Sequence, residues 1–127
     1  MNPSPTELSI LKLLWRDGAK SIGEIHADVQ AELDWSRSST RKTVERMVDK
    51  DMLCLEKVHG LSVYTARIEK VPTLAGLIQA FTRSVLSLDG PLPVSTLTGS
   101  QILSQDELDE LADWLETHSG EDAAKGA

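Results

Sequence analysis

Four cations, Arg37, Arg41, Lys42 and Arg46, fall within ten residues of the 127-residue chain, opposed in that interval by Glu45 alone. Ser38 and Ser39 sit among them. Cationic side chains at this density suit a polyanion, because each can neutralise a phosphate and release its counterion. An arginine can also offer two parallel donors to a guanine edge, and a serine hydroxyl both donates and accepts. Lys57 and His59 flank a second polar point, the His59-Gly60 turn. The chemistry on offer is recognition, not bond making.

The other reactive residue types do not converge. His26, His59 and His118 fall on three separate segments, without the i, i+4 pairing or the cysteine partners of a zinc site. Glu24 and His26 stand two apart, which on a helix turns them away from each other. No glycine-rich dinucleotide fingerprint, phosphate loop or nucleophile elbow occurs. The lone Cys54 excludes an internal disulfide framework and reads as a small buried hydrophobe. No cofactor, metal or catalytic set is expected, so an enzyme is not.

The elements around the cations follow from capping and periodicity. Ser4-Pro5-Thr6-Glu7 predicts a helix start, with Leu8, Leu11, Leu14 and Trp15 at helical spacing and Asp17-Gly18 as the stop. Ser21-Ile22-Gly23-Glu24 repeats the S-x-x-E box and opens a second helix striped by Ile22, Ile25, Val29 and Leu33. Asp34-Trp35-Ser36 leads to a third, from about Arg37 to Lys50, with Ser36 as cap. Its apolar face is Thr40, Val44, Met47 and Val48, which leaves the cations outside. The period then becomes strand-like: Met52–Val58 and Leu61–Ala66 flank His59-Gly60 and predict a hairpin. Three short helices followed by a hairpin is the order of a winged helix-turn-helix. In that fold the third helix enters the major groove and the hairpin is the wing.

Beyond Val71-Pro72 the spacing of Leu74, Leu77, Ile78, Phe81, Val85 and Leu88 predicts a helix over 73–88, ended by Asp89-Gly90-Pro91. A brief helical turn is expected at 94–97, and Ser104-Gln105-Asp106-Glu107 opens a last helix carrying Leu108, Leu111, Ala112 and Leu115. Two amphipathic helices alone leave one apolar side wet, so a second copy of the chain is expected to cover Leu77, Phe81, Leu108, Leu111, Trp114 and Leu115. The charge divides along the same line. Residues 1–70 hold eleven Lys/Arg and eleven Asp/Glu, whereas 71–127 hold two against nine, which accounts for the whole net charge of −7. The halves therefore have different tasks. The expected organisation is a DNA-binding head over 1–71, a helical dimerisation region over 72–118 and a flexible tail over 119–127.

No window approaches the roughly 18 uninterrupted apolar residues of a spanning helix, and Met1-Asn2-Pro3-Ser4-Pro5 lacks the pattern of a secretory signal. A cytoplasmic protein is expected.

The order of these pieces resembles the penicillinase-repressor family of BlaI-, MecI- and CopY-type winged-helix repressors. The matching stretches are Pro5-Thr6-Glu7-Leu8, Ile10-Leu11, Leu14-Trp15 and Glu24-Ile25-His26. Asp34-Trp35-Ser36, the run Arg41 to Lys50, Val63-Tyr64 and Leu103-Ser104-Gln105-Asp106-Glu107-Leu108 complete it. The resemblance implies a dimeric repressor, with heads on an operator palindrome and dimerising C-terminal helices. Asp51 stands where the family usually has glycine, and aspartate tolerates the left-handed conformation better than most residues. The chain has no cysteine after Cys54, unlike the copper-responsive members. Where a sensor-activated protease cuts the antibiotic-responsive members, this chain has Thr96-Leu97. The function expected is operator binding through the third helix and wing; the alternative is a winged-helix protein-docking module.

Overall fold

The computed structural model describes residues 2–87 and 99–126, with side chains described to residue 117. The element order is α1 (Pro5–Asp17), α2 (Ile22–Leu33), α3 (Arg37–Asp49), β1 (Leu53–Val58), β2 (Leu61–Ala66), α4 (Lys70–Ser84) and α5 (Gln105–Gly126). It is a mainly α chain with one two-stranded antiparallel hairpin, and the first five elements form a winged helix. Two compact units result, Pro3–Glu69 and a second from Lys70 onward.

In the first unit the helix starts are fixed by side chains. Ser4 and Ser21 each form a complete capping box, with Glu7 and Glu24 returning to the cap backbone. Ser36 caps α3 through the Ser39 N–H. The stops use positive-φ residues: Gly18 at φ 84° after α1, and Asp34 at φ 48° in the left-handed helical conformation after α2. Asp51 takes φ 63° between α3 and β1, as its place in the chain requires. The hairpin registers Val58 opposite Leu61 across a two-residue turn in which His59 and Gly60 both have positive φ. That pattern matches the strand twist. Glycine was the expected bearer of positive φ; His59 shares it.

The core of this unit is Ile10, Leu11, Leu14, Ile25, Val29, Val44, Met47 and Leu53, closed by Tyr64. Two links tie distant segments to it. Lys20 and Tyr64 exchange backbone hydrogen bonds at 3.1 and 2.8 Å, which adds a bridge to the edge of the hairpin. The Trp15 indole donates to the Ile68 carbonyl at 3.0 Å. Glu7 is buried yet charged. It accepts from the Ser4 backbone N–H at 2.8 Å and from Lys50 Nζ at 2.9 Å, so the start of α1 is fastened to the end of α3.

The second unit departs from expectation at α4. The helix begins at Lys70, three residues early, because Pro72 lies in the first turn, where its missing N–H is not needed. It ends at Ser84: the Val85 N–H closes the last turn on the Phe81 carbonyl, and Ser87 turns to φ 53°. Leu88, the expected turn at 94–97 and Thr96-Leu97 lie outside the described residues. Helix α5 starts on Ser104 and Glu107 as expected, and continues past Ser119 to Gly126, through the helix-forming Ala123, Ala124 and Lys125. The apolar core here is Val71, Ala75, Leu111 and Leu115, with Ile78, Leu103 and Trp114 packed around it.

Candidate nucleic-acid interface

Thr40, Val44 and Met47 are fully enclosed, so α3 is held by its apolar face against the first unit's core. Arg37, Ser38, Arg41, Lys42 and Arg46 consequently stand exposed on the rest of the helix. Ser39 is different: its N–H goes to the Ser36 hydroxyl at 3.2 Å, and its own hydroxyl lies 3.2 Å from the same oxygen. It belongs to the cap first. Lys57 and His59 are exposed on the hairpin, at the end remote from the buried Leu53. The element order joins α3 to β1 directly, and the two pack together.

Ion pairing sorts the cations of the first unit. Arg16 pairs with Asp17 at 2.7 Å, and Lys20 with Asp28 at 2.8 Å and Asp17 at 3.3 Å. Lys50 pairs with Glu7 and Arg67 with Asp51. The Arg16 guanidinium, joined by Lys20, holds the Asp17 carboxyl down to about 2, and Asp28 in turn holds Lys20 above its ordinary value. Arg37, Arg41, Lys42, Arg46 and Lys57 take no part in any ion pair among the described residues; only Lys12, on α1, shares that state. Even Glu45, one helical turn from Arg41, is not engaged by it. The acidic residues of these elements, Glu45 and Asp49 on α3 and Glu56 on β1, are exposed and none is paired with these cations. A surface so arranged keeps its full charge for an external anion.

One contact that sequence reasoning missed positions this helix. His26 Nδ1 of α2 lies 2.9 Å from the Thr40 hydroxyl of α3, and Thr40 is wholly buried. The threonine is therefore not merely part of an apolar face: its hydroxyl sets how α3 lies against α2. A polar residue on an otherwise apolar stripe was the available signal.

The residues expected to join two copies divide into two groups. Leu108, Leu111 and Leu115 are buried within the single chain, at 4, 0 and 1% exposure. They cannot form a free docking face, because α4 already covers much of the α5 stripe. Leu77 and Trp114 are half-buried, whereas Phe81 is 52% and Val85 61% exposed. Helix α4 thus buries Gln79 and Thr82 beside Val71, Leu74 and Ala75, and leaves its largest apolar side chain, Phe81, in water. Among the described residues no group of His, Cys, Asp and Glu could hold a metal ion, and no helix is long and apolar enough to cross a membrane.

The sequence model of a family described as "Penicillinase repressor" matches residues 3–117. Among curated proteins none matches the chain. A similar solved structure is the solution structure of the DNA binding domain of the repressor BlaI, at 23% identity, covering 55% of this chain and 90% of that one, with a TM-score of 0.48.

Proposed function

Because the chain belongs to the penicillinase repressor family, we propose that it is a DNA-binding transcriptional repressor that acts as a homodimer. Each head inserts α3 into a major groove, with Ser38, Arg41, Lys42 and Arg46 toward base edges and phosphates, and with Lys57 and His59 of the wing on the neighbouring backbone. A two-fold pair of heads asks for a palindromic operator with half-sites one or more helical turns apart. Repression follows from occupying promoter DNA in the cytoplasm.

The observation that carries this reading is the set of exposed, unpaired cations on α3, joined by Lys57 of the wing, in a head whose other cations are nearly all paired. A docking module gives no reason for that separation. Each head alone is only modestly charged, and the acidic second unit repels DNA. Coupling two heads raises avidity on the order of 10²–10⁴-fold where the geometry permits. The surface proposed to couple them centres on the exposed Phe81 and Val85, with the half-buried Leu77 one turn before Phe81 and the half-buried Trp114 on α5. Release then requires only loss of the dimer, for which cleavage at Thr96-Leu97 by a sensor-activated protease is one route.

A gel shift on the DNA upstream of the chain's own gene tests the reading. Retardation that resists competitor DNA and weakens steeply between about 50 and 200 mM salt is expected. Binding no tighter than to a scrambled duplex refutes it.

A further inference from the structure

We infer that Gly23 is a positioning residue for DNA binding: by carrying no side chain, it leaves the place in which the Arg37 guanidinium lies. The inference rests on the reading of α3 as the DNA-facing helix. Gly23 is the second residue of α2, and it is not among the positive-φ glycines of the described residues, Gly18 and Gly60. Its backbone conformation therefore makes no demand for glycine, and helix propensity favours alanine there.

The reason for a glycine lies across the turn. A Cβ at position 23 would sit 3.2 Å from Arg37 Nη2 and 3.8 Å from Arg37 Cζ, and the next atom, Ser21 Oγ, is 4.0 Å away. The guanidinium alone stands in its way. Arg37 is the first residue of α3, exposed, and in no ion pair among the described residues. The nearby acid does not hold it. Glu24 accepts from the Ser21 backbone N–H at 3.0 Å, and that bond is the leading cause of its lowered pKa. The planar guanidinium thus lies where a side chain at position 23 would meet it, and it is in no ion pair among the described residues.

This spot adjoins the N-terminal ends of both α2 and α3, the region a helix-turn-helix turns toward the duplex. An arginine that can rest in that open place meets a sugar-phosphate oxygen with less reordering than one displaced from it. A methyl group at position 23 displaces the end of a flexible side chain without disturbing the fold.

Fluorescence anisotropy with a labelled duplex from upstream of the gene, and with a scrambled duplex, tests this across a salt series. The proteins are the parent, Gly23→Ala, Arg37→Ala, the double variant and Arg46→Ala. We expect Arg37→Ala to weaken both duplexes several-fold and to lower the salt slope by about 0.9. Gly23→Ala should move in the same direction by less, with a melting temperature no lower than the parent's, and the double variant should bind no more weakly than Arg37→Ala. The inference is overturned if Gly23→Ala binds like the parent while Arg37→Ala does not. It is equally overturned if the Gly23→Ala loss persists undiminished in the Arg37→Ala background, or if Gly23→Ala melts earlier. If Arg37→Ala alone is silent while Arg46→Ala is weakened, the α3 reading stands and Gly23 has no part in it. If neither arginine matters, the underlying reading falls as well.

Discussion

Replacing Phe81 with aspartate separates dimerisation from folding. Phe81 lies 52% exposed near the end of α4, so a charge there meets water in the single chain. A buried phenylalanine accounts for roughly 200 Å² of surface, which leaves about 100 Å² of Phe81 to be covered by a partner. At ~25 cal/mol per Å² that is about 2.5 kcal/mol. A two-fold interface uses the residue twice, giving about 5 kcal/mol before ordering losses, and an enclosed carboxylate adds a desolvation penalty. Allowing for those losses, about 4 kcal/mol remains, a dissociation constant raised about a thousandfold. Sedimentation velocity at micromolar protein should show the parent as a dimer and Phe81→Asp as a monomer with unchanged helical circular dichroism. Leu111→Asp is the contrast, because Leu111 is fully enclosed between α4 and α5. It should unfold the second unit. A Phe81→Asp protein that still dimerises as tightly as the parent refutes the interface.

Other consequences follow from the head. The Glu7 carboxyl is pushed up by burial, but the Ser4 backbone N–H and Lys50 together bring it below its ordinary 4.5. A lowered folded-state pKa means stability that is fully present above the unfolded value and lost as pH falls through the folded one. Lys50 is 39% exposed, so solvent screening limits the pair. Glu7→Gln should therefore cost about 1 kcal/mol at neutral pH in urea unfolding and nothing at pH well below 4.5; a pH-independent difference would contradict this. Thr40→Val removes the hydroxyl that meets His26 and should lower head stability by about 1 kcal/mol, read in the same assay. An unchanged midpoint would show that this hydrogen bond does not hold α3 in place.

The elements whose ends are set by their own side chains were readable from the chain. Ser4, Ser21, Ser36 and Ser104 each cap the helix they were expected to cap, since the capping pattern is local and the box reports its own geometry. The hairpin and the exposure of α3's cations follow equally from short-range period. The ends of α4 did not, because Pro72 signals a helix boundary but does not say on which side of it the helix begins. Periodicity also cannot say which of two apolar faces is used within a chain. On α4 the face used within the chain carries Val71, Leu74 and Ala75 but also Gln79 and Thr82, while Leu77 stays half-buried and Phe81 exposed. Contacts between distant residues, such as His26 with Thr40 or Glu7 with Lys50, are set by packing and leave little trace in spacing. The same holds for which cations are paired. That fact defines the candidate interface, and it emerges only once the carboxylates have been placed.

The most direct test is the salt dependence of binding to upstream DNA for the parent and for an Arg41→Ala/Lys42→Ala/Arg46→Ala variant. If these unpaired cations each meet a phosphate, the slope of log affinity against log salt falls by about 0.9 for each, near 2.7 in all. Any of them that reads a base instead should cost roughly 1–3 kcal/mol on the upstream duplex alone. A folded triple variant with the parent's affinity and the parent's slope would contradict the account at its root.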